Sequence, residues 1–283
     1  MHGPNFALNS AAVEALLGSS AYFTQAATPD YWHTAAIGQV GLYNGGAELN
    51  WYVDINHDAG DPVPSLIDNL CLEAGLRRAK FLVASSPVED CAFEKLRRCG
   101  FSPFSWQQIW RLDQSGLSQS GQSDAIWETP NSADIFEIIR VQKKMVCPAT
   151  QAVTKNMDRN PPDYVYKENG SILGYSASKS FGGKIVVTPL LPPESGNTLK
   201  TLESLILQYM DSYREIYIRQ TSDTSWLTPH LEAVAVPTTP RLEMLVKHFT
   251  IQQKSVVLEA SYSKNGRQTD TVTPFLQSGG KKS

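Results

Sequence analysis

Ala92-Phe-Glu-Lys-Leu-Arg-Arg-Cys-Gly-Phe101, followed closely by Trp106-Gln-Gln-Ile-Trp-Arg-Leu112, is the stretch that decides the fold. Leu96 and its neighbours make a short amphipathic helix that stops at a Gly-Phe pair, since glycine readily takes the left-handed conformation that ends a helix. The chain then runs directly into an aromatic-rich strand. Upstream, Ala79-Lys-Phe-Leu-Val-Ala84 reads as a short apolar strand, and the periodicity before it predicts a helix from about Ser65 to Leu76. Helix, strand, helix, Gly-Phe, strand is an α/β (α+β) arrangement.

Further toward the N-terminus, a helix is expected over about Ser10 to Leu17. Ala36–Tyr43 and Glu48–Ile55 form a hairpin through Asn44-Gly-Gly46. Toward the C-terminus, Asp113–Asp124 is almost wholly Ser, Gln, Gly and Asp, too polar to offset the entropy of ordering it. It divides the chain near its middle. The second half repeats the order of the first. A helix over Ser132–Val146 precedes the hairpin Tyr164–Tyr166/Ile172–Tyr175, turned by Glu168-Asn-Gly-Ser171. The strand Lys184–Thr188, a helix over Thr198–Tyr213, the strand Glu215–Arg219, a helix over Thr224–Val234 and the strand Leu242–His248 follow. The expected organisation is a module over 1–113, a linker over 114–124, a second module over 125–262 and a disordered tail over 263–283. The two modules are expected to fold independently.

A chain of 283 residues suits two domains better than one. Hydrophobic and charged contents of 41% and 19% fit ordinary cores. No apolar run approaches the ~20 residues a membrane span needs, and Met1–Leu8 lacks the basic-then-apolar layout of a secretory signal. With a net charge of −3 and no basic block beyond Lys281-Lys282, nucleic acid is not the expected partner. Cys71, Cys91, Cys99 and Cys147 form no Cys-x-x-Cys, so no metal site is expected and the thiols read as reduced, in a cytoplasmic protein.

The element order with its Gly100-Phe101 stop resembles the C-terminal half of a GCN5-related N-acetyltransferase (GNAT) domain. The whole chain resembles two such modules in tandem, each a mixed, mostly antiparallel sheet flanked by helices. Gln107-Gln-Ile-Trp110 and Met244-Leu-Val-Lys-His-Phe249 also look like bacterial tandem GNAT-like proteins of uncharacterised function. The resemblance implies an acyl-CoA cofactor, acetyl-CoA or another, and a small-molecule or peptide amine as acceptor. It also implies a Gln/Arg-x-x-Gly-x-Gly/Ala loop whose N–H groups hold the pyrophosphate at a helix start. A tyrosine four residues before the Gly-Phe pair often protonates the leaving thiolate in this family.

Against that pattern the first module offers Asn56-His-Asp-Ala-Gly-Asp-Pro-Val-Pro-Ser65. Asp58 and Asp61 bring negative charge, and Pro62 and Pro64 remove donors, so this loop is not expected to hold phosphate. The second offers Leu190-Leu-Pro-Pro-Glu-Ser-Gly-Asn-Thr198. There Gly196, Asn197 and Thr198 open a helix beside Lys200, with Ile185, Val186 and Val187 as the strand for the pantetheine arm. The same residues read equally as a plain capped helix start. Leu96 and Leu231 hold the tyrosine positions, so no catalytic residue is assigned. Tyr217, Arg219 and Trp226, with Gln220, are the expected substrate wall, or else packing. Ser176-Ala-Ser-Lys179 matches a penicillin-recognising motif but falls on a strand instead of a helix start. Two functions follow: an acyl-CoA-dependent N-acyltransferase with its site in the second module, or an inactive relative that binds a small ligand or protein partner.

Overall fold

In the N-terminal half, β1 (Ser20–Ala27), β2 (Thr34–Tyr43) and β3 (Gly46–Asp54) form an antiparallel meander. Helix α1 (Val63–Leu76) then returns the chain so that β4 (Phe81–Pro87) starts parallel to β3. Asp90 caps α2 (Cys91–Arg98) by accepting the Ala92 N–H at 2.9 Å, and Gly100 ends the turn at φ 88°. The 11-residue strand β5 (Ser102–Leu112) follows. The computed structural model describes residues 20–27, 34–43, 45–54, 61–113, 126–154, 162–193 and 198–249. The expected first helix, the linker 114–124 and the tail 263–283 lie outside them.

The second half begins with β6 (Ile126–Glu128), α3 (Ile135–Met145) and α4 (Pro148–Thr154). Its meander is β7 (Tyr164–Glu168), β8 (Ser171–Phe181) and β9 (Lys184–Leu190). The two-residue turn Asn169-Gly170, at φ 50° and 78°, supplies the doubly left-handed geometry that such hairpins need. Then come α5 (Thr198–Met210) and β10 (Glu215–Thr221), parallel to β9. A 3₁₀ turn (Ser222–Leu227), α6 (Thr228–Val234), β11 (Ala235–Pro237) and β12 (Leu242–His248) complete the described chain. Meander, helix, parallel strand, helix and strand thus occur in both halves.

All strands join one sheet in the order β1-β2-β3-β4-β12-β5-β10-β9-β8-β7-β6, with β11 added on β5. From its sequence position β12 is expected to close the second half. Instead it hydrogen-bonds between β4 and β5, with Leu245 opposite Ala84 on one side and Pro103 on the other. Strand β5 is shared in turn: Ser102–Gln107 pairs with β12, and Gln107–Arg111 pairs with β10. Each half therefore uses a strand of the other, which independent folding on either side of the linker does not anticipate.

Alternation along the strands divides the cores between two faces. Leu82 and Ala84 of β4, with Leu245, pack under α1 and α2; Phe81 and Val83 face the other way and meet Val246 and Val153 of α4. In the second half Ile185, Val187, Ile216 and Ile218 pack under α5 and α6, while Leu190 joins Ile138 and Val141 of α3 on the opposite face. No helix among the described residues is long and apolar enough to cross a membrane.

Candidate functional site

Strands β9 and β10 are paired only from Lys184/Glu215 to Val187/Ile218. Both continue, to Leu190 and Thr221, without further pairs between them, so the sheet opens into a notch lined by the edges of Thr188–Leu190 and Arg219–Thr221. Backbone groups on such edges are strong donors and acceptors that need partners. Helix α5 begins after the notch at Thr198, with no acid in its first turn. The first half has the same opening, because β3 and β4 pair only through Ala47/Leu82 and Glu48/Val83.

The helix starts beside the two notches differ. At α1, Asp61 Oδ1 already accepts the Val63 N–H at 3.1 Å, and Pro64 has none to give. Lys95 reaches across to Asp54 at the end of β3, 3.2 Å away. These contacts engage the Val63 N–H and the Lys95 ammonium; Asp58 lies outside the described residues.

The sequence candidates are distributed unevenly around the second notch. Ile185 and Val187 are 1% and 3% exposed in the α5 core, and Ile185, Val186 and Val187 are all ladder-paired to Ile216–Ile218. Their backbone is engaged, and the open edge starts one residue later. Thr198 is buried as the first residue of α5. Gly196 and Asn197 lie outside the described residues.

Tyr217 and Arg219 share the sheet face opposite α5. The Tyr217 hydroxyl donates to Glu215, whose carboxylate also holds the Lys184 ammonium at 3.1 Å. Burial, then the Glu215 bond, push the Tyr217 pKa up; the Tyr217 and Lys184 bonds pull that of Glu215 down. Arg219 presents a buried Nε with no partner among the described residues. Trp226 does not join them. It packs against the α5–α6 core with Leu199, and its ring meets His230 edge-on at 6.4 Å.

Gln220 belongs to the architecture instead of a ligand wall. Fully buried, it accepts the Trp110 Nε1–H at 3.0 Å and donates to Thr228 Oγ1 at 2.7 Å and to the Thr224 and Ser225 carbonyls at 3.2 Å each. Its inward place in the alternation after Ile216 and Ile218 is the sequence signal for that role. Asp223 has no such signal: its carboxylate accepts the Cys147 N–H at 2.9 Å, and burial raises its pKa. Leu96 and Leu231, at the family's tyrosine positions, are 2% and 0% exposed within the two cores. Ser176, of the Ser-x-x-Lys match, is buried on β8 against the Tyr209 hydroxyl.

This is the fold of the GCN5-related N-acetyltransferases. A GCN5-related N-acetyltransferase from Kribbella flavida superimposes with a TM-score of 0.54 at 12% identity, covering 87% of this chain and 96% of that one. One from Sphaerobacter thermophilus gives 0.50 at 13%, covering 80% of each. A conserved protein of unknown function from Staphylococcus epidermidis gives 0.54 at 12%, covering 75% of this chain and 91% of that one. No family model and no curated protein sequence matches the chain.

Proposed function

We propose that the chain is an acyl-CoA-dependent N-acyltransferase whose cofactor, acetyl-CoA or another acyl-CoA, lies in the β9–β10 notch. The observation that carries this reading is the parallel pair that stops at Val187/Ile218 while both strands continue. Its unpaired edges offer carbonyls, and N–H groups except at Pro189, to an extended arm that itself contains amides, the chemistry of an added strand. Gly196, Asn197 and Thr198, with Lys200 nearby, are assigned to the pyrophosphate on sequence grounds. The pantetheine arm is assigned to Thr188–Leu190, beyond the engaged Ile185–Val187 segment. The thioester supplies an acyl carbon activated for attack by an amine.

The chain's own groups would orient that arm by backbone hydrogen bonds and exclude water with the floor formed by Val187, Ile218 and Leu231. The Tyr217 hydroxyl is committed to Glu215, so proton transfer is left to solvent in this scheme. Tyr217 and Arg219 form the acceptor wall for a small-molecule or peptide amine, and Trp226 stands on the helix side of the notch. Four free thiols, of which burial pushes Cys71 up to about 11, suit a cytoplasmic setting. The second reading, an inactive binding protein, draws on one observation: Leu231 is fully buried where the family often places tyrosine.

Calorimetry with acetyl-CoA tests the choice. Binding by the wild type, lost in Gly196→Val and kept in Asp61→Ala, is the expected pattern. Absence of binding by the wild type, or equal binding by the wild type and Gly196→Val, would contradict the site.

A further inference from the structure

On the face opposite α5, three neighbouring strands bring together Ile109 of β5, Tyr217, Arg219 and Thr221 of β10, and Val186 and Thr188 of β9. The register sets Arg219 directly opposite Ile109, and Tyr217 beside Val186. All six are half-buried, and none belongs to a packed apolar core. On this face the α3 core reaches β9 only at Leu190, and the α4 core reaches β5 only at Phe104.

The charges on this strip are unequally matched. Glu215 is held by Lys184 and the Tyr217 hydroxyl. Asp223, the next acid after β10, accepts the Cys147 N–H. Arg219 is left with its Nε buried and with no hydrogen bond or ion pair among the described residues. A guanidinium stays charged at any physiological pH, and a buried donor without an acceptor is costly. A ligand entering this strip would supply the missing acceptor. The planar guanidinium fork matches a carboxylate in two parallel bonds. The residue opposite Arg219, Ile109, is uncharged, while Arg111 and Lys179 stand one row away on the same face, opposite Tyr217 and Val186, so the strip as a whole favours an anion.

We propose that Arg219 binds the carboxylate of the acyl acceptor, so that the acceptor is an amino acid or another amine that also carries an acid. This inference rests on the transferase reading above. The test pairs each common amino acid with its decarboxylated amine and follows thiol release from acetyl-CoA by the full chain. Thermal shift with the corresponding N-acetyl amino acids serves as a readout independent of turnover. A kcat/KM at least about tenfold higher for one or more acids than for their matched amines is expected, the scale of one charged hydrogen-bond pair. Arg219→Gln should erase that preference mainly through KM, Arg219→Lys should restore part of it, and acetyl-CoA affinity should not change in either. Equal use of acids and amines by the wild type would overturn the proposal, as would loss of acetyl-CoA binding in Arg219→Gln. Should acetyl-CoA neither bind nor turn over, the transferase reading fails. In that case, stabilisation by N-acetyl amino acids that Arg219→Gln abolishes would still support a carboxylate site, and no stabilisation of the wild type would overturn it.

Discussion

Gln220 shows how one side chain sets the geometry beside the notch. Its amide joins Trp110 of β5 to the 3₁₀ turn after β10 through four hydrogen bonds in a fully buried position. Replacing it with leucine strands the Trp110 N–H and takes a donor from the Thr228 hydroxyl and the Thr224 carbonyl, while the Ser225 carbonyl keeps the Thr228 hydroxyl. Unpaired buried polar groups carry their full desolvation cost. Gln220→Leu should therefore lower unfolding free energy by about 2–3 kcal/mol, measured by chemical denaturation. A change below about 0.5 kcal/mol, the level of an ordinary surface substitution, would contradict this role. In the sequence the residue is legible either as a wall for ligand or as packing. Only the inward alternation, read together with a tryptophan 110 positions away, separates the two readings. Arg219 is the converse: the sequence marks it as a ligand contact, and its missing partner becomes visible only when strands distant in sequence are brought alongside it.

Among the elements, the hairpins, the helices α1, α2, α3 and α5 and the strands β4 and β10 are written locally, in periodicity, caps and turn residues. Helix α4 was not legible, because a seven-residue segment that opens Pro148-Ala-Thr carries too little apolar periodicity. The position of β12 was not legible either. Its alternation says that Leu242–His248 is a strand, but strand pairing is a contact between remote segments, and nothing local names β4 and β5 as its neighbours. Leu245 is nonetheless fully buried in the first-half core. Leu245→Ala should cost about 2–4 kcal/mol, and removing residues 240–283 should abolish cooperative melting by uncovering the edges of β4 and β5. Differential scanning calorimetry checks both. A truncated chain that melts like the intact protein would contradict the shared-strand arrangement.

At the scale of the whole molecule, two copies of one layout share a sheet, and each copy opens a notch between parallel strands. The first is backed by a helix start already satisfied by Asp61 and interrupted by Pro64; α5, behind the second, begins without either feature. That asymmetry was partly legible, since prolines and aspartates are visible in the sequence. Where the strands part is a property of the ladder and was not. Hydrogen–deuterium exchange of the full chain with and without acetyl-CoA tests the account most directly, because a ligand arm that pairs with a strand edge slows exchange of that edge. Slowed exchange is expected in peptides covering Thr188–Leu191 and the first turn of α5, with Leu49–Asp54 and Val63–Leu66 unchanged. Protection confined to the first-half notch, or no change anywhere at saturating acetyl-CoA, would contradict the account.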